Sequence, residues 1–288
     1  MERRSRSYLQ LIKPGITLSN TLTGLTGFFL AASVFPFSLK ALIGMTFGIA
    51  LIIASACVFN NVLDRDIDKH MKRTAKRDVA SGAISVLKAL AFGSVLGLAG
   101  FSTILLLTNQ LTFNLGIIAF VWYIVIYGYA KRTTVYSTLI GGVAGALPIV
   151  AGYTALTGKI DTAAIALFLI LFFWQMPHFY AIAMFRRTDY ASAKLPVWSV
   201  VYGMKRAKQQ ILIFTIVYSV VAGLLYVFGY TGIVYLVIST TLSAYWVYTA
   251  ITLYRNVNDE KWARKMFGAS LLILLAMCLL IGIGGYLP

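Results

Sequence analysis

Between residues 15 and 286 the sequence keeps returning to apolar runs of one length: roughly 15–35, 40–63, 86–108, 111–130, 136–156, 162–185, 209–228, 232–253 and 264–286. A helix needs roughly 20 apolar residues to cross the hydrocarbon of a bilayer, so each run matches one crossing. A soluble fold has no use for nine of them in succession. Only 12% of the residues are charged, about half the share in a soluble domain. The expected architecture is an all-α integral membrane protein. It is a bundle of nine transmembrane helices that makes a single domain of residues 1–288.

The basic residues test that layout. Cytoplasmic loops collect Lys and Arg. With the N-terminus cytoplasmic and nine crossings, 23 of the 25 Lys and Arg fall on the inner side, and only Lys40 and Lys159 fall outside. The inner set begins with Arg3, Arg4, Arg6 and Lys13 and ends with Arg255, Lys261, Arg264 and Lys265. The C-terminus is then outside. The start resembles a signal peptide, but its apolar run is of spanning length and more follow, so it reads as an uncleaved first span. The net charge of +16 would suggest nucleic acid in a soluble protein. Here it is a topology signal, and the expected environment is lipid rather than nucleic acid. Cys57 and Cys278 sit in apolar runs without metal-ligand spacing, as small buried hydrophobes do. Pro148 and Pro177 fall inside runs and are expected to kink their helices. The Gly93, Gly97, Gly100 and Gly141–Gly145 patterns suit close helix approach in lipid.

Charge is concentrated in one stretch. Of nine acidic residues, Asp64, Asp66, Asp68 and Asp78 follow one another just after the second run. Asn60, Asp64 and Asp68 are spaced by four, so on a helix they share a face and step about 6 Å apiece. Acids so placed repel unless a cation joins them. Oxygen ligands suit Mg²⁺, which takes one or two carboxylates and completes its shell with water and substrate phosphate. The alternative is a solvated helix end with local Asp–Arg and Asp–Lys pairs; Asp66 points off the stripe, as a local partner would.

Arg73 and Arg77 follow in the same loop, and Lys131 and Arg132 end the fourth run on the same face. Guanidinium forks and ammonium charges beside a metal-binding face suit a diphosphate; topology and anionic-lipid contact are the competing uses. A third cluster, Trp174-Gln175-Met176-Pro177-His178, lies inside the sixth run. Polar groups at that depth usually face a cavity, so Gln175 and His178 are either substrate-facing or hydrogen-bonded packing residues. Asp189, at the cytoplasmic end of that run, is placed to face Asp64 and Asp68 across the bundle. The sequence has no nucleophilic triad, P-loop or dinucleotide fingerprint.

These residues resemble the UbiA superfamily of intramembrane prenyltransferases, whose mark is Asn60-x3-Asp64-x3-Asp68 at the end of the second of nine spans. Longer strings resemble its protohaem IX farnesyltransferase branch. They are Cys57-Val58-Phe59-Asn60-Asn61 through Asp68, Met71-x-Arg73-Thr74-x-x-Arg77, Trp174-Gln175-Met176-Pro177-His178, Asp189-Tyr190-x-x-Ala193 and Trp262-Ala263-Arg264-Lys265. The resemblance covers essentially the whole chain. It implies transfer of farnesyl from farnesyl diphosphate to a vinyl carbon of haem b, with addition of water, giving haem O and diphosphate. Asn60, Asp64 and Asp68 would form the Mg²⁺–diphosphate motif, and Asp189 would begin a second one. Arg73, Arg77, Lys131 and Arg132 would bind diphosphate, and Trp174, Gln175 and His178 would face haem. Where many members carry a second acid, this chain has Ala193, which puts a symmetric two-metal site in doubt. The resemblance also implies a bacterial inner membrane, a cytoplasmic-face site and haem-handling or terminal-oxidase assembly partners. The alternatives are a UbiA-type polyprenyltransferase with an aromatic acceptor, an ion-coupled transporter and a haem-handling assembly factor. The acids gather at one membrane face rather than along a path, which disfavours the transporter, and an assembly factor would not need the stripe.

Overall fold

The computed structural model describes residues 8–252, 254 and 258–288, and their regular structure is entirely helical. Nine long helices form the frame. They are α1 (Pro14–Ala32), α2 (Leu39–Leu63), α3 (Val86–Leu107), α4 (Gln110–Thr133), α5 (Ser137–Thr157), α6 (Thr162–Phe185), α7 (Gly203–Val227), α8 (Ile233–Thr252) and α9 (Asp259–Gly284). α7 is interrupted at Ala222-Gly223. Eight of the nine, α2 to α9, are long and apolar enough to cross a membrane. α1 is a helix where the first span is expected, but Thr17, Ser19, Asn20, Thr21, Thr23 and Thr26 dilute its apolar content. Thr17 donates to the Ile12 carbonyl just before the helix, and the others bond back to carbonyls of the same helix, so α1 carries polar side chains whose donors are paired. The basic residues Arg3, Arg4, Arg6 and Arg255 lie outside the described residues, as does the end of the eighth run.

Helix starts are marked by side-chain caps. Ser38, Ser85, Asn109, Asp161 and Asn258 each accept a backbone N–H of the following turn, satisfying donors that a helix start leaves free. α7 and α9 begin several residues before their apolar runs and take in Lys205, Arg206, Lys208, Lys261, Arg264 and Lys265. Hydropathy marks where the hydrocarbon begins, whereas the helix continues into the polar layer.

α1 packs against α2, α5 and α9, so the two ends of the frame meet. α6 lies between α5, α7 and α9. Lipid gives little drive to associate apolar helices, so contact depends on small residues that let backbones approach. At Gly152 a Cβ would strike the backbone carbonyl of Gly24, and at Gly100 it would meet the Ile52 amide at 2.9 Å. The Gly93, Gly97 and Gly100 face of α3 is buried against α2 as the pattern predicts, with Ser55 Oγ donating to the Gly93 carbonyl (2.7 Å). Pro148 and Pro177 both lie within unbroken helices. Cys57 and Cys278 are buried and unpaired by disulfide.

Candidate active site

One end of the bundle gathers the residue before α1, the loops after α2 and α6, and the end of α4. α2 stops at Leu63. Asp64 is non-helical (φ −92°, ψ 4°), and Arg65–Asp68 forms one further turn. The i to i−4 hydrogen bonds nonetheless continue, from Asp64 N to Asn60 O (2.9 Å) and from Asp68 N to Asp64 O (2.7 Å). The stripe expected on one helix is thus carried across a break.

Each member of the stripe meets a cation from elsewhere in the chain. Lys13 Nζ donates to Asn60 Oδ1 (2.9 Å), Lys131 Nζ to Asp64 Oδ2 (2.6 Å), and Arg77 Nη1 to both oxygens of Asp68 (2.9 and 2.8 Å). Asp68 is 1% exposed. The Asp64 and Asp68 pairs are therefore interior contacts, not the solvated local pairs of a frayed helix end. Three cations against two carboxylates leave an excess of one positive charge, which favours an anionic ligand.

Lys13 carries no such role in the sequence-based expectations. It sits at φ +48° just before Pro14, in the left-handed region that costs a side-chain-bearing residue about 1 kcal/mol or more. The unusual backbone turns its side chain towards Asn60, and burial pushes its ammonium pKa down to about 8. The sequence signal was a lysine wedged against Pro-Gly at the head of an apolar run.

Lys131 and Arg132 part company. Neighbours on a helix do not face the same way. Lys131 turns inward, over the Tyr127 ring and onto Asp64. Arg132 instead forks onto Asp66 (Nη1–Oδ2 2.7 Å, Nη2–Oδ1 2.9 Å) and the Leu63 carbonyl (2.7 Å). Its Nη2 is 3.8 Å from Asp64. Arg132 beside Asp66 holds that carboxyl well below the usual carboxylate range. Asp66 thus has a partner on another helix, not the local one expected. Arg73 is exposed, and its charge acts on Tyr190.

The second loop closes over the first. Ile67, Met71 and Leu195 are buried together, with Tyr190 and Ala193 against them, and Ser192 Oγ donates to the His70 carbonyl (2.8 Å). Burial pushes the Tyr190 phenol up, with Asp189 adding to the effect and Arg73 opposing it. Asp189 is half-buried on this loop. An open groove of about 230 Å³ runs between the loops, past Asp66, His70, Arg132 and Lys194.

The third cluster divides. Gln175 Nε2 donates to the Gly142 carbonyl of α5 and to the Leu171 carbonyl of its own helix (3.1 Å each). Trp174 Nε1 donates to the Ser270 carbonyl (3.0 Å) and His178 Nδ1 lies 2.7 Å from Ser270 Oγ, both towards α9. The glycines of α5 join this cluster to the charged one, because a Cβ at Gly141 would meet the Tyr127 ring at 2.7 Å and one at Gly145 would strike Gln175 Oε1. In α4 the stretch Trp122–Tyr127 is a π-helix, with Tyr123 and Tyr127 stacked at 5.5 Å.

No group of three or more His, Cys, Asp or Glu among the described residues could hold a metal by itself. The donors present are hard oxygens, two carboxylates and an amide, on consecutive turns. They fit a magnesium ion whose shell a ligand phosphate completes.

The sequence profile of the UbiA prenyltransferase family matches residues 20–282. A protein of Shewanella woodyi named protoheme IX farnesyltransferase 2 is 44% identical over 93% of this chain and 93% of its own length. One from Photorhabdus laumondii, named protoheme IX farnesyltransferase, is 41% identical over 98% and 96%. Among solved structures, a digeranylgeranylglyceryl phosphate synthase superposes with a TM-score of 0.80 at 19% identity, covering 99% of each chain. A UbiA homolog from Archaeoglobus fulgidus bound to GPP and Mg²⁺ gives 0.68 at 18% identity, covering 96% and 99%.

Proposed function

The chain belongs to the UbiA prenyltransferase family, and from that we propose that it is a multi-pass membrane enzyme that farnesylates haem b to haem O. Its relatives at 41–44% identity carry the name protoheme IX farnesyltransferase. The observation that carries the chemistry is the meeting of Lys13, Lys131 and Arg77 with Asn60, Asp64 and Asp68 at the head of an apolar bundle.

In the reaction the C1–O bond of farnesyl diphosphate breaks and diphosphate leaves. The terminal vinyl carbon of haem b bonds to C1, and water adds to the inner vinyl carbon, giving up a proton. Lys13, Lys131 and Arg77 neutralise the charge that grows on the departing diphosphate. The apolar helices hold the farnesyl tail and exclude bulk water from the allylic cation. Asp64 and Asp68, with the Asn60 carbonyl, would hold Mg²⁺ shared with the diphosphate, and the ion would supply further charge neutralisation. Arg73 meets the outer part of the diphosphate, and Asp189 closes the site from the second loop. Arg132 supports it from outside by fixing the turn that carries Asp66. Trp174, Gln175 and His178 form the acceptor side.

We further propose nine crossings, with α1 as the first, acting as one domain over residues 1–288. The N-terminus is cytoplasmic, the C-terminus is outside, and the site lies at the cytoplasmic face of a bacterial inner membrane. Haem O then passes to haem-handling or terminal-oxidase assembly partners. The test is incubation of the purified full chain with farnesyl diphosphate, Mg²⁺ and an equimolar mixture of haem b and 4-hydroxybenzoate, followed by mass spectrometry. Farnesylated, hydrated haem is expected. A prenylated aromatic acid with no haem product would move the enzyme to another branch of the family.

A further inference from the structure

We propose that His178 binds the iron of the haem substrate through Nε2, and that Ser270 prepares it to do so. The inference rests on haem b being the acceptor. Ser270 is fully buried on α9, and its hydroxyl has one hydrogen to give. That hydrogen goes to the Phe267 carbonyl (2.6 Å), which accepts only. The Ser270 oxygen therefore accepts from His178, and the hydrogen bond at 2.7 Å is Nδ1–H to Oγ. The proton is fixed on Nδ1, and the lone pair is on Nε2.

The surroundings leave that nitrogen as the open edge. The Trp174 ring lies over the imidazole at 4.9 Å and 25°, and the Phe267 ring at 4.9 Å and 32°. The Nδ1 edge is tied to Ser270, whose carbonyl also holds the Trp174 indole N–H. Nε2 has no hydrogen bond to any described residue, and it is not sealed away like the Tyr218 hydroxyl or the Trp246 N–H. A histidine whose far N–H is anchored on oxygen, with its orientation set by packing, is the usual form of a metal-binding imidazole. Histidine is also a common axial ligand of haem iron. The chain has one other histidine, His70, and it is exposed in the first loop with Nδ1 on the Asp66 carbonyl.

The depth agrees with an amphiphilic porphyrin. His178 lies seven residues before the end of α6, about 10 Å along the helix. At that end Phe185 stands against Phe267, with Arg264 over its ring at 4.9 Å and Arg186 at 5.6 Å. A haem with its iron at Nε2 would turn its two carboxylates towards Arg186 and towards Arg264, which would exchange its present partner Glu260 (2.7 Å) for one of them, and keep its vinyl edges inside.

The test is optical and electron paramagnetic resonance titration of the purified full chain with ferric haem b, without farnesyl diphosphate. The wild type should bind haem with an imidazole-ligated spectrum, and protein carrying isotope-labelled histidine should show hyperfine coupling from a labelled nitrogen to the iron. His178→Ala should lose that ligation and regain it with added imidazole. Ser270→Ala should keep it, with affinity reduced by about tenfold, the lower end for losing an outer partner of a metal-bound histidine. Haem bound without histidine coupling, or the same spectrum in wild type and His178→Ala, would overturn the ligation while leaving haem as acceptor. No haem binding at all would overturn both. The labelled measurement repeated in His70→Ala, where His178 is the one histidine left, decides the matter even where His178→Ala does not fold: coupling retained supports the ligation, and coupling lost assigns it to His70 and overturns the proposal.

Discussion

Around Asn60, Asp64 and Asp68 each polar side chain is met by a charged group from another part of the chain. Around Trp174, Gln175 and His178 each hydrogen bond goes to a neutral carbonyl or hydroxyl. The difference follows from what each side must do. A leaving diphosphate and its counter-ion need charges that exchange partners when the ligand arrives and departs. A flat, largely apolar acceptor needs fixed walls and a fixed tautomer. The first region is costly to cut, because removing one partner of a buried ion pair strands the other, typically at about 3–5 kcal/mol. The second holds its shape through packing and bonds to backbone.

The largest effect should come from the carboxylates. Asp64→Ala and Asp68→Ala are expected to lower the rate of haem O formation by about a thousandfold, the upper range for removing one electrostatic contact to a developing charge. Steady-state rates at saturating substrates check this. Next, Lys131→Ala and Lys13→Ala should each cost about a hundredfold in kcat, since both ammonium groups meet charge that grows on the leaving diphosphate. A third change acts on the acceptor side alone. In Gly145→Ala the new methyl collides with Gln175 Oε1, a flexible side-chain end, so haem affinity should fall a few fold while the KM for farnesyl diphosphate stays constant.

The smallest effect belongs to the Arg132–Asp66 pair. Asp66 is 63% exposed in its side chain, and exposed pairs contribute roughly 0–1 kcal/mol. Arg132→Ala and Asp66→Asn should each slow turnover less than about fivefold, and the double variant no more than either. Because Arg132 depresses the Asp66 pKa, the pair's support is complete above the unfolded carboxylate value near 3.9 and fades as pH falls below it. A rate loss between pH 5 and 8 that vanished in Asp66→Asn would contradict this placing of the pair.

The same contrast explains what could be read from the sequence. In an apolar chain charge is scarce, so the stripe and its facing lysine stood out, and the apolar runs located the helices. The first helix is the instructive case. Its threonines and Asn20 lower its hydropathy, yet they bond to their own backbone, which a count of polar residues does not register. Lys131 and Arg132 looked alike as neighbours in a short loop, and only the turn of α4 separates them. Lys13 was hidden because its role depends on a left-handed backbone and on a residue 47 positions away. Ser270 was hidden more deeply still. It is a lone serine in the last helix, 92 residues from the histidine it orients, and no spacing rule connects the two.

The division of labour between the two regions has a direct test in the haem affinity of Asp68→Asn, measured by optical titration alongside its product yield. Haem binding at wild-type affinity, with the wild-type spectrum, and almost no haem O are expected. Loss of haem binding together with loss of product would mean that the charged stripe and the Trp174–His178 cluster form one site, and would contradict that division.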